Sequence, residues 1–289
     1  MPGLRALQAV LDGDLLTPAS REYEVARRTS LARFEPVRPL GVARCASVRD
    51  VARTLTFARE TNTLVVPRGG GHCFAGRSTT TGLVLDLSGL DAIVMQPDGL
   101  ARIGAGARLA GVNGALHQAS RALPVGCGPT VGIAGLTLGG GIGLMGRRHG
   151  LTCDRLVGAQ VVLADGRILT CDSVREPELF WALRGAGGGQ FGVVTSLVFD
   201  TVAEPTMTRF ELRWPEAAAA KATAKWQTWA PVAPTYLTAD LRISAQPGRG
   251  VEVVVSGAAL CHADPALDLL DDLIRSTDSR PEQSHQVRN

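Results

Sequence analysis

The feature that most constrains this chain is an apolar run that leads into consecutive glycines and then into one histidine. It reads Val-Val-Pro-Arg-Gly-Gly-Gly-His-Cys-Phe-Ala-Gly and spans residues 65–76. Glycine lets backbone N–H groups approach an anion closely, at an entropic cost that an ordinary surface loop need not bear. The segment therefore predicts a phosphate-binding loop with His72 beside the bound group.

Two more glycine clusters follow, at residues 126–143 and 179–195. The chain has 34 glycines in 289 residues, which exceeds the usual share of about 7%. They stand next to apolar runs, so they indicate loops on a folded scaffold and not a flexible linker. This distribution favours a fold that binds a ligand.

Upstream of residue 200 the pattern predicts short strands that alternate with helices. A capping box at residues 47–50 predicts a helix up to about Glu60. Residues 159–170 predict a β-hairpin, and the Asp165-Gly166 pair within them suits a type I′ turn. Several hairpins among helices favour an α+β fold with mixed sheets over a regular doubly wound sheet.

The pattern changes after Pro205, where the glycine clusters stop and longer strands begin. The second part is predicted to contain strands at residues 207–214, 238–245 and 251–260, and helices at residues 217–229 and 265–275. The polar tail after Ser276 is expected to fray. We therefore predict two domains, over residues 30–204 and 205–289.

Together the glycine clusters resemble those of the berberine bridge enzyme-like FAD-linked oxidases, in the vanillyl alcohol oxidase or PCMH-type superfamily. Residues 65–76 are similar to the first cofactor loop of that family. Residues 126–143 resemble the second loop, with Pro-Thr-Val-Gly and a triple glycine at matching spacing, and residues 179–195 match a third signature almost residue for residue. The resemblance implies a PCMH-type FAD-binding domain of two mixed α/β subdomains, followed by a partial substrate domain with an antiparallel sheet and helices.

The resemblance also assigns positions to the cofactor, FAD. His72 takes the position of the family histidine that is bonded to the 8α-methyl carbon of the flavin, and Gly150 and Asp154 fall near the nucleotide. The positions assigned to FAD binding are Arg68, Gly69, Gly70, Gly71, His72, Cys73, Gly76, Thr130, Val131, Gly132, Gly135, Gly139, Gly140, Gly141, Gly150, Asp154, Gly192 and Val193.

Position 128 departs from the family pattern. Members with two covalent links carry a cysteine immediately before the proline, and its sulfur bonds the flavin C6 carbon; here that residue is Gly128, and Cys127 lies one position earlier. A one-residue shift in an extended segment turns a side chain to the opposite side. We expect a single link, through His72. Val131 matches a position where a small side chain accompanies oxidase activity, and it is equally compatible with a core valine.

Other interpretations of the motifs are weaker. Residues 141–146 match G-x-G-x-x-G, but that dinucleotide fingerprint needs a helix that starts at the glycines, and Gly150 interrupts it. The six cysteines contain no C-x-x-C pair and no histidine at ligand spacing, so no metal site is expected. They are interpreted as small buried hydrophobes in preference to disulfides.

Composition excludes several partners. A formal net charge of +3 is too small to imply nucleic acid or an anionic membrane. No apolar run approaches the roughly 18 residues that a transmembrane helix needs, and the N-terminus lacks a signal-peptide core. The chain is therefore expected to be cytoplasmic.

The resemblance implies an FAD-dependent oxidase that takes a hydride from an alcohol, sugar or secondary-metabolite C–H bond, with oxygen as acceptor. Family members are longer, and the segment that carries their active-site tyrosine has no match here, so we assign no catalytic residue. The alternatives are a non-catalytic flavin-binding remnant of the same family and a glycine-rich interaction protein without cofactor.

Overall fold

The computed structural model describes residues 2–246, 248, 250–277 and 279–288. The chain divides into two compact units. The first contains Met1–Ile142 and Leu151–Val202, and the second contains Gly143–Gly150 and Ala203–Asn289. Among the described residues, no helix is both long and apolar enough to span a bilayer.

The first unit carries strands β1 to β10 together with every helix up to α7 except α6. Its strands are β1 Asp14–Leu16, β2 Gly41–Arg44, β3 Val65–Arg68, β4 Leu83–Asp86, β5 Ile93–Met95, β6 Leu100–Gly104, β7 Arg121–Ala122, β8 Leu156–Val162, β9 Ile168–Asp172 and β10 Val193–Asp200. Its helices are α1 Pro2–Val10, α2 Tyr23–Ala26, α3 Val48–Glu60, α4 Leu109–Gln118, α5 Ile133–Leu138 and α7 Pro177–Ala186.

The first sheet has the order β1-β2-β4-β3. Strands β2 and β3 run parallel to β4, and β1 runs antiparallel to β2. Every residue of β4 is buried, as expected for a strand with neighbours on both edges. Since β3 lies beside β4, the loop that follows β3 starts from a fixed point in this unit.

The predicted capping box at the start of α3 is confirmed, and its acidic residue does more than cap the helix. Ser47 accepts a hydrogen bond from the Asp50 backbone N–H, while Asp50 is completely buried. The Asp50 carboxylate accepts four backbone N–H bonds, from Asp12, Gly13, Ala46 and Ser47. It therefore joins the chain before β1 to the segment after β2.

The second sheet has the order β5-β6-β10-β8-β9 and is antiparallel throughout. The predicted hairpin forms between β8 and β9, but the prediction of a type I′ turn is wrong. Gly166 has φ +87°, whereas Asp165 is absent from the described non-glycine residues with positive φ. A type I′ turn needs positive φ at both central positions. The bonds from Leu163 N–H to the Arg167 carbonyl and from Gly166 N–H to the Leu163 carbonyl close a three-residue loop instead.

The second unit contains the predicted antiparallel sheet, with order β13-β14-β12-β15. Its remaining elements, together with the two-residue strand β11 at the boundary, are α6 Gly146–His149, β11 Val202–Ala203, β12 Met207–Trp214, α8 Glu216–Trp229, β13 Leu237–Gln246, β14 Gly250–Ala259, α9 Ala263–Arg275 and β15 Glu282–Arg288. Trp214 is fully buried, among side chains of the sheet, α8 and α9. Three buried alanines, Ala218, Ala219 and Ala222, leave little side-chain bulk between α8 and the sheet.

The expectation that the tail frays after Ser276 is wrong. Residues Glu282–Arg288 form β15, which pairs antiparallel with β12 from Met207 to Arg213. Strand pairing satisfies backbone N–H and C=O groups and does not require apolar side chains. A polar sequence therefore did not reveal this strand.

The cysteines are free, which agrees with the interpretation that they are not paired, but the expectation that all six are buried is wrong: Cys73 and Cys261 are partly buried and Cys127 is exposed. Cys45, Cys153 and Cys171 are buried, and burial raises the pKa of each thiol, to about 11 for Cys171. These thiols remain protonated near neutral pH and behave as small apolar groups.

We predict that Asp50→Ala lowers the free energy of unfolding by about 3 kcal/mol, because buried backbone N–H groups lose their acceptor. Thermal unfolding followed by circular dichroism measures this effect. The matched control is Asp91→Ala, which removes an exposed carboxylate and should change stability little. Equal melting temperatures for the two variants would contradict this role of Asp50.

Candidate functional site

The three glycine clusters, far apart in sequence, come together in the first unit. The first meets the second where Gly70 lies against Gly132. The third meets the second where the Gly187 N–H donates to the Leu138 carbonyl, 3.1 Å away. A Cβ on Gly189 would lie 3.8 Å from Pro67, at the start of the first cluster. The structure thus assembles one site from the segments that the sequence singled out.

The contact between the first two clusters is made by backbone atoms. A Cβ on Gly70 would lie 2.8 Å from the Thr130 carbonyl oxygen and would overlap the Gly132 nitrogen, and a Cβ on Gly132 would overlap the Gly70 nitrogen. Gly69 is similarly close to the Ala105 carbonyl oxygen, at 3.2 Å. Only glycine permits this approach, so the requirement at positions 70 and 132 is steric.

His72 lies two residues after Gly70, next to this contact. Gly71 has φ +73°, and its carbonyl accepts the Ser30 N–H at 3.1 Å, so the chain turns sharply just before the histidine. The His72 Nε2 atom lies 2.9 Å from the Thr130 hydroxyl oxygen. His72 is half-buried, as is its neighbour Cys73, while Phe74 is exposed. The structure therefore places an accessible imidazole at the junction of the two clusters.

Arg68 lies beneath the loop, with its guanidinium committed to other protein groups. It is 5% exposed, and it donates to the carbonyls of Ala26, Arg27 and Arg28 and to the Asp86 carboxylate. Burial lowers the pKa of Arg68, and the nearby Asp86 carboxylate opposes that shift. The side chain therefore anchors the first loop to β4 and to the segment after α2.

The end of the first loop carries unpaired buried hydroxyls. Gly76 has φ +76° and packs against the Phe34 ring, where a Cβ would overlap ring carbons. The hydroxyl oxygens of Ser78 and Thr79 just beyond are buried without a hydrogen-bond partner among the described residues. Buried polar groups nearly always find a partner. These hydroxyls, beside a glycine loop, fit a ligand that offers hydrogen-bonding groups.

The second cluster is held on both sides by backbone bonds. Leu109 N–H donates to the Val131 carbonyl at 3.0 Å, and Ile133 N–H donates to the Ala107 carbonyl at 3.0 Å. Gly132 precedes α5, and Val131 is half-buried against the core. Gly128 is partly buried, whereas Cys127 beside it is exposed. Backbone hydrogen bonds therefore fix the position of the segment Thr130-Val131-Gly132.

The rest of the second cluster surrounds the end of α5. Gly135 is exposed on this helix, and Gly139 ends it. Gly140 and Gly141 have φ of +102° and +84°, and their carbonyls accept the N–H groups of Cys153 and Thr152. A helix, not a strand, thus leads into these glycines, and only the four-residue α6 follows. A Rossmann unit needs a strand there, so the G-x-G-x-x-G match is accidental.

The remaining predicted positions belong to different units. Gly150 belongs to the second unit, while Asp154 lies in the first, where its carboxylate accepts the Leu151 N–H and pairs with Arg184. Gly192 has φ +141°, and its Cβ would lie 2.7 Å from the Val162 carbonyl oxygen. Val193 is buried and begins β10.

Sequence reasoning missed the residues that support the loops from below. Asp86 pairs with Arg68, Ser30 bonds Gly71 and Phe34 packs on Gly76. A charged residue at the end of the apolar run Leu83-Val84-Leu85 was a signal for Asp86, because a buried charge needs a partner. Nothing in the local sequence around Ser30 or Phe34 indicates their contacts.

Comparison with known proteins agrees with this geometry. Residues 39–172 match the FAD binding domain family. An uncharacterized FAD-linked oxidoreductase of Bacillus subtilis, YgaK, is 37% identical over 240 residues, which cover 80% of this chain and 52% of that protein. The chain therefore spans about half the length of this relative.

Solved structures show the same likeness. Berberine bridge enzyme-like protein 1 of Physcomitrella patens has a TM-score of 0.93 and 29% identity, over 99% of this chain and 62% of that one. Glucooligosaccharide oxidase of Acremonium strictum has a TM-score of 0.89 and 27% identity, over 99% and 61%. The flavin of that oxidase is described as 6-S-cysteinyl, 8α-N1-histidyl FAD.

The fold and the matched segment define an FAD-binding domain of the PCMH type. Residues 39–172 belong to the FAD binding domain family, and the chain as a whole is similar to berberine bridge enzyme-like proteins and FAD-linked oxidoreductases.

We predict that Gly70→Ala lowers both the melting temperature and the amount of bound FAD, because its methyl group would push the first two clusters apart. Gly114→Ala is the matched control: its Cβ meets open space inside α4, so this change should leave stability equal or raise it by up to about 1 kcal/mol. Melting temperatures and the ratio of flavin to protein absorbance measure the two effects. Normal FAD content in Gly70→Ala would contradict the requirement for glycine.

Proposed function

We propose that this chain acts in an FAD-dependent oxidase, which takes a hydride from a C–H bond of an alcohol, a sugar or a secondary metabolite and passes the electrons to dioxygen. The observation that carries the proposal is the convergence of three glycine clusters around an accessible histidine. Redox chemistry of this kind is supplied by the flavin, and the protein contributes binding and orientation.

The residues present fit FAD. Gly69, Gly70 and Gly132 let the loop backbones pack against each other, and glycine loops of this kind can present backbone N–H groups to a pyrophosphate. The buried hydroxyls of Ser78 and Thr79 offer hydrogen bonds to such a group. The positions inferred from the family for Gly76, Gly135, Gly139, Gly150, Asp154 and Val193 belong to the same proposal.

The proposal includes one covalent link, between His72 and the flavin. His72 is accessible and lies at the junction of the clusters. The relative from Acremonium strictum is described with a histidyl and a cysteinyl link, whereas this chain has Gly128 at the position of the cysteine. Cys127 remains a separate, exposed residue. This supports His72 as the sole tether.

A non-catalytic flavin-binding protein is the second candidate, and Tyr23 is not available as a catalytic base. Tyr23 is fully buried, its hydroxyl donates to the Pro39 carbonyl at 2.6 Å, and burial raises its pKa. It therefore does not serve as a base for substrate. Tyr236, the other tyrosine, lies in a turn immediately before β13 in the second unit. A cytoplasmic location stays a prediction from the sequence.

We predict that His72→Ala abolishes covalent attachment of flavin, because the bonding nitrogen is lost. Protein precipitated with acid should be yellow for the wild type and colourless for the variant. A colourless wild-type precipitate would contradict the tether.

We predict that Cys127→Ser, the matched change at the neighbouring candidate, leaves the covalently bound flavin unchanged. Proteolysis and mass spectrometry of the wild type should find flavin on the peptide with His72 only. Flavin on the Cys127 peptide would show that the one-residue shift does not prevent a second link.

Oxidase activity predicts hydrogen peroxide release with a panel of oligosaccharides and alcohols, in step with bleaching and recovery of flavin absorbance. His72→Ala and heat-treated protein are the controls. If the protein retains flavin but none of these substrates bleaches it, the non-catalytic candidate is favoured.

A further inference from the structure

The imidazole of His72 makes one described hydrogen bond, and that bond distinguishes its two nitrogens. Nε2 lies 2.9 Å from the hydroxyl oxygen of Thr130, which is 58 residues away in sequence. A neutral imidazole has one N–H and one nitrogen with a free lone pair, and the hydrogen bond at one nitrogen sets the state of the other. Nε2 is engaged, so Nδ1 is the nitrogen left to bond a carbon atom.

We propose that Thr130 is a positioning residue for flavin attachment: its hydroxyl oxygen accepts the Nε2–H of His72, and this leaves the Nδ1 lone pair free as the bonding atom. The inference rests on the proposed covalent role of His72. It adds the residue that selects the reactive form of the imidazole.

The position of Thr130 is set by backbone, which makes the contact with His72 more than a chance meeting of side chains. Bonds join Val131 N–H to the Gly128 carbonyl at 3.1 Å and Ala110 N–H to the Pro129 carbonyl at 2.9 Å. Both neighbours of Thr130 are therefore held. The hydroxyl has only its side-chain torsion to adjust.

The position of His72 is set in the same way. The carbonyl of Gly71 is bonded to Ser30, and Gly70 lies against Gly132, two residues after Thr130. The two backbones are thus in contact on one side of the histidine–threonine pair. This arrangement holds the backbones of His72 and Thr130 close enough for Nε2 to reach the hydroxyl.

The chemistry requires the imidazole form that Thr130 selects. His72 must be neutral, with its proton on Nε2, so that the Nδ1 lone pair forms a bond to the flavin 8α carbon. One C–H bond of the methyl group breaks, and its proton and that of Nε2–H pass to water. The electron pair of the C–H bond reduces the flavin ring and is then taken by dioxygen, which with two protons leaves as hydrogen peroxide. One C–N bond is formed for one dioxygen consumed.

The test compares Thr130→Val, which removes the hydroxyl, with Thr130→Ser, which keeps it. The matched control is Thr228→Val, which changes an exposed threonine on α8 of the second unit. Full-length protein is prepared from riboflavin-limited cells with 15N-labelled histidine. Imidazole 15N shifts of His72, assigned by comparison with His72→Ala, report the protonated nitrogen before flavin is added. FAD is then added in air, and covalent flavin is followed in acid-precipitated samples.

We expect His72 to carry its proton on Nε2 in the wild type and in Thr130→Ser, and to show mixed protonation of the two nitrogens in Thr130→Val. Covalent attachment should be roughly tenfold slower in Thr130→Val, the size of effect typical for one hydrogen bond, and near normal in Thr130→Ser and Thr228→Val. The flavin-bearing peptide should be linked through Nδ1.

Unchanged imidazole shifts together with normal attachment in Thr130→Val would overturn the role of Thr130, as would a link through Nε2. A proton on Nδ1 in the flavin-free wild type would overturn it too, since the hydroxyl would then be the donor. Failure of the wild type to attach flavin would instead refute the proposed covalent function, and the nitrogen shifts would still decide whether Thr130 selects the Nε2–H form.

Discussion

The contact between the backbones of Gly70 and Gly132 is the constraint on which the site depends. Any side chain at either position would overlap the opposite backbone, so the two loops meet only because both residues are glycine. This contact brings His72 to Thr130, and it sets the first cluster against Gly132, the residue that precedes helix α5 within the second cluster. Glycine is thus required at these two positions because the two backbones lie too close for a side chain, and not because the loops need to be flexible.

Support for the first loop comes from a buried ion pair below it. Arg68 reaches three carbonyls and the Asp86 carboxylate, and Asp86 ends β4, an interior strand of the first sheet in which every residue is buried. A buried guanidinium is tolerated only when its N–H groups find acceptors and its charge finds a partner. The loop therefore rests on the strand that is most deeply embedded in its sheet. This arrangement holds the histidine in place without engaging the histidine itself.

The link between structure and function lies in the division of tasks among these residues. Glycines permit the close approach of the loops, the Arg68–Asp86 pair anchors the first loop, and in the proposed function the His72–Thr130 pair would supply the nucleophile. A covalent tether made by a histidine in a defined proton state needs all three, because a mobile ring presents either nitrogen. Gly128 in place of a cysteine leaves this single pair as the candidate point of attachment.

Sequence alone predicted the FAD-linked family resemblance, the three glycine clusters that meet in the fold, the capped helix at Ser47, the hairpin strands and the antiparallel sheet of the second unit. These features have local signatures: hydrophobic periodicity, capping residues, and glycine motifs with fixed spacing. The three-residue loop at Gly166, the strand Glu282–Arg288 and the partners of Arg68 and His72 were decided by tertiary structure. Their physical reason is common to them all. Backbone pairing and hydrogen bonds between distant segments depend on where the chain returns, and a short stretch of sequence does not contain that information.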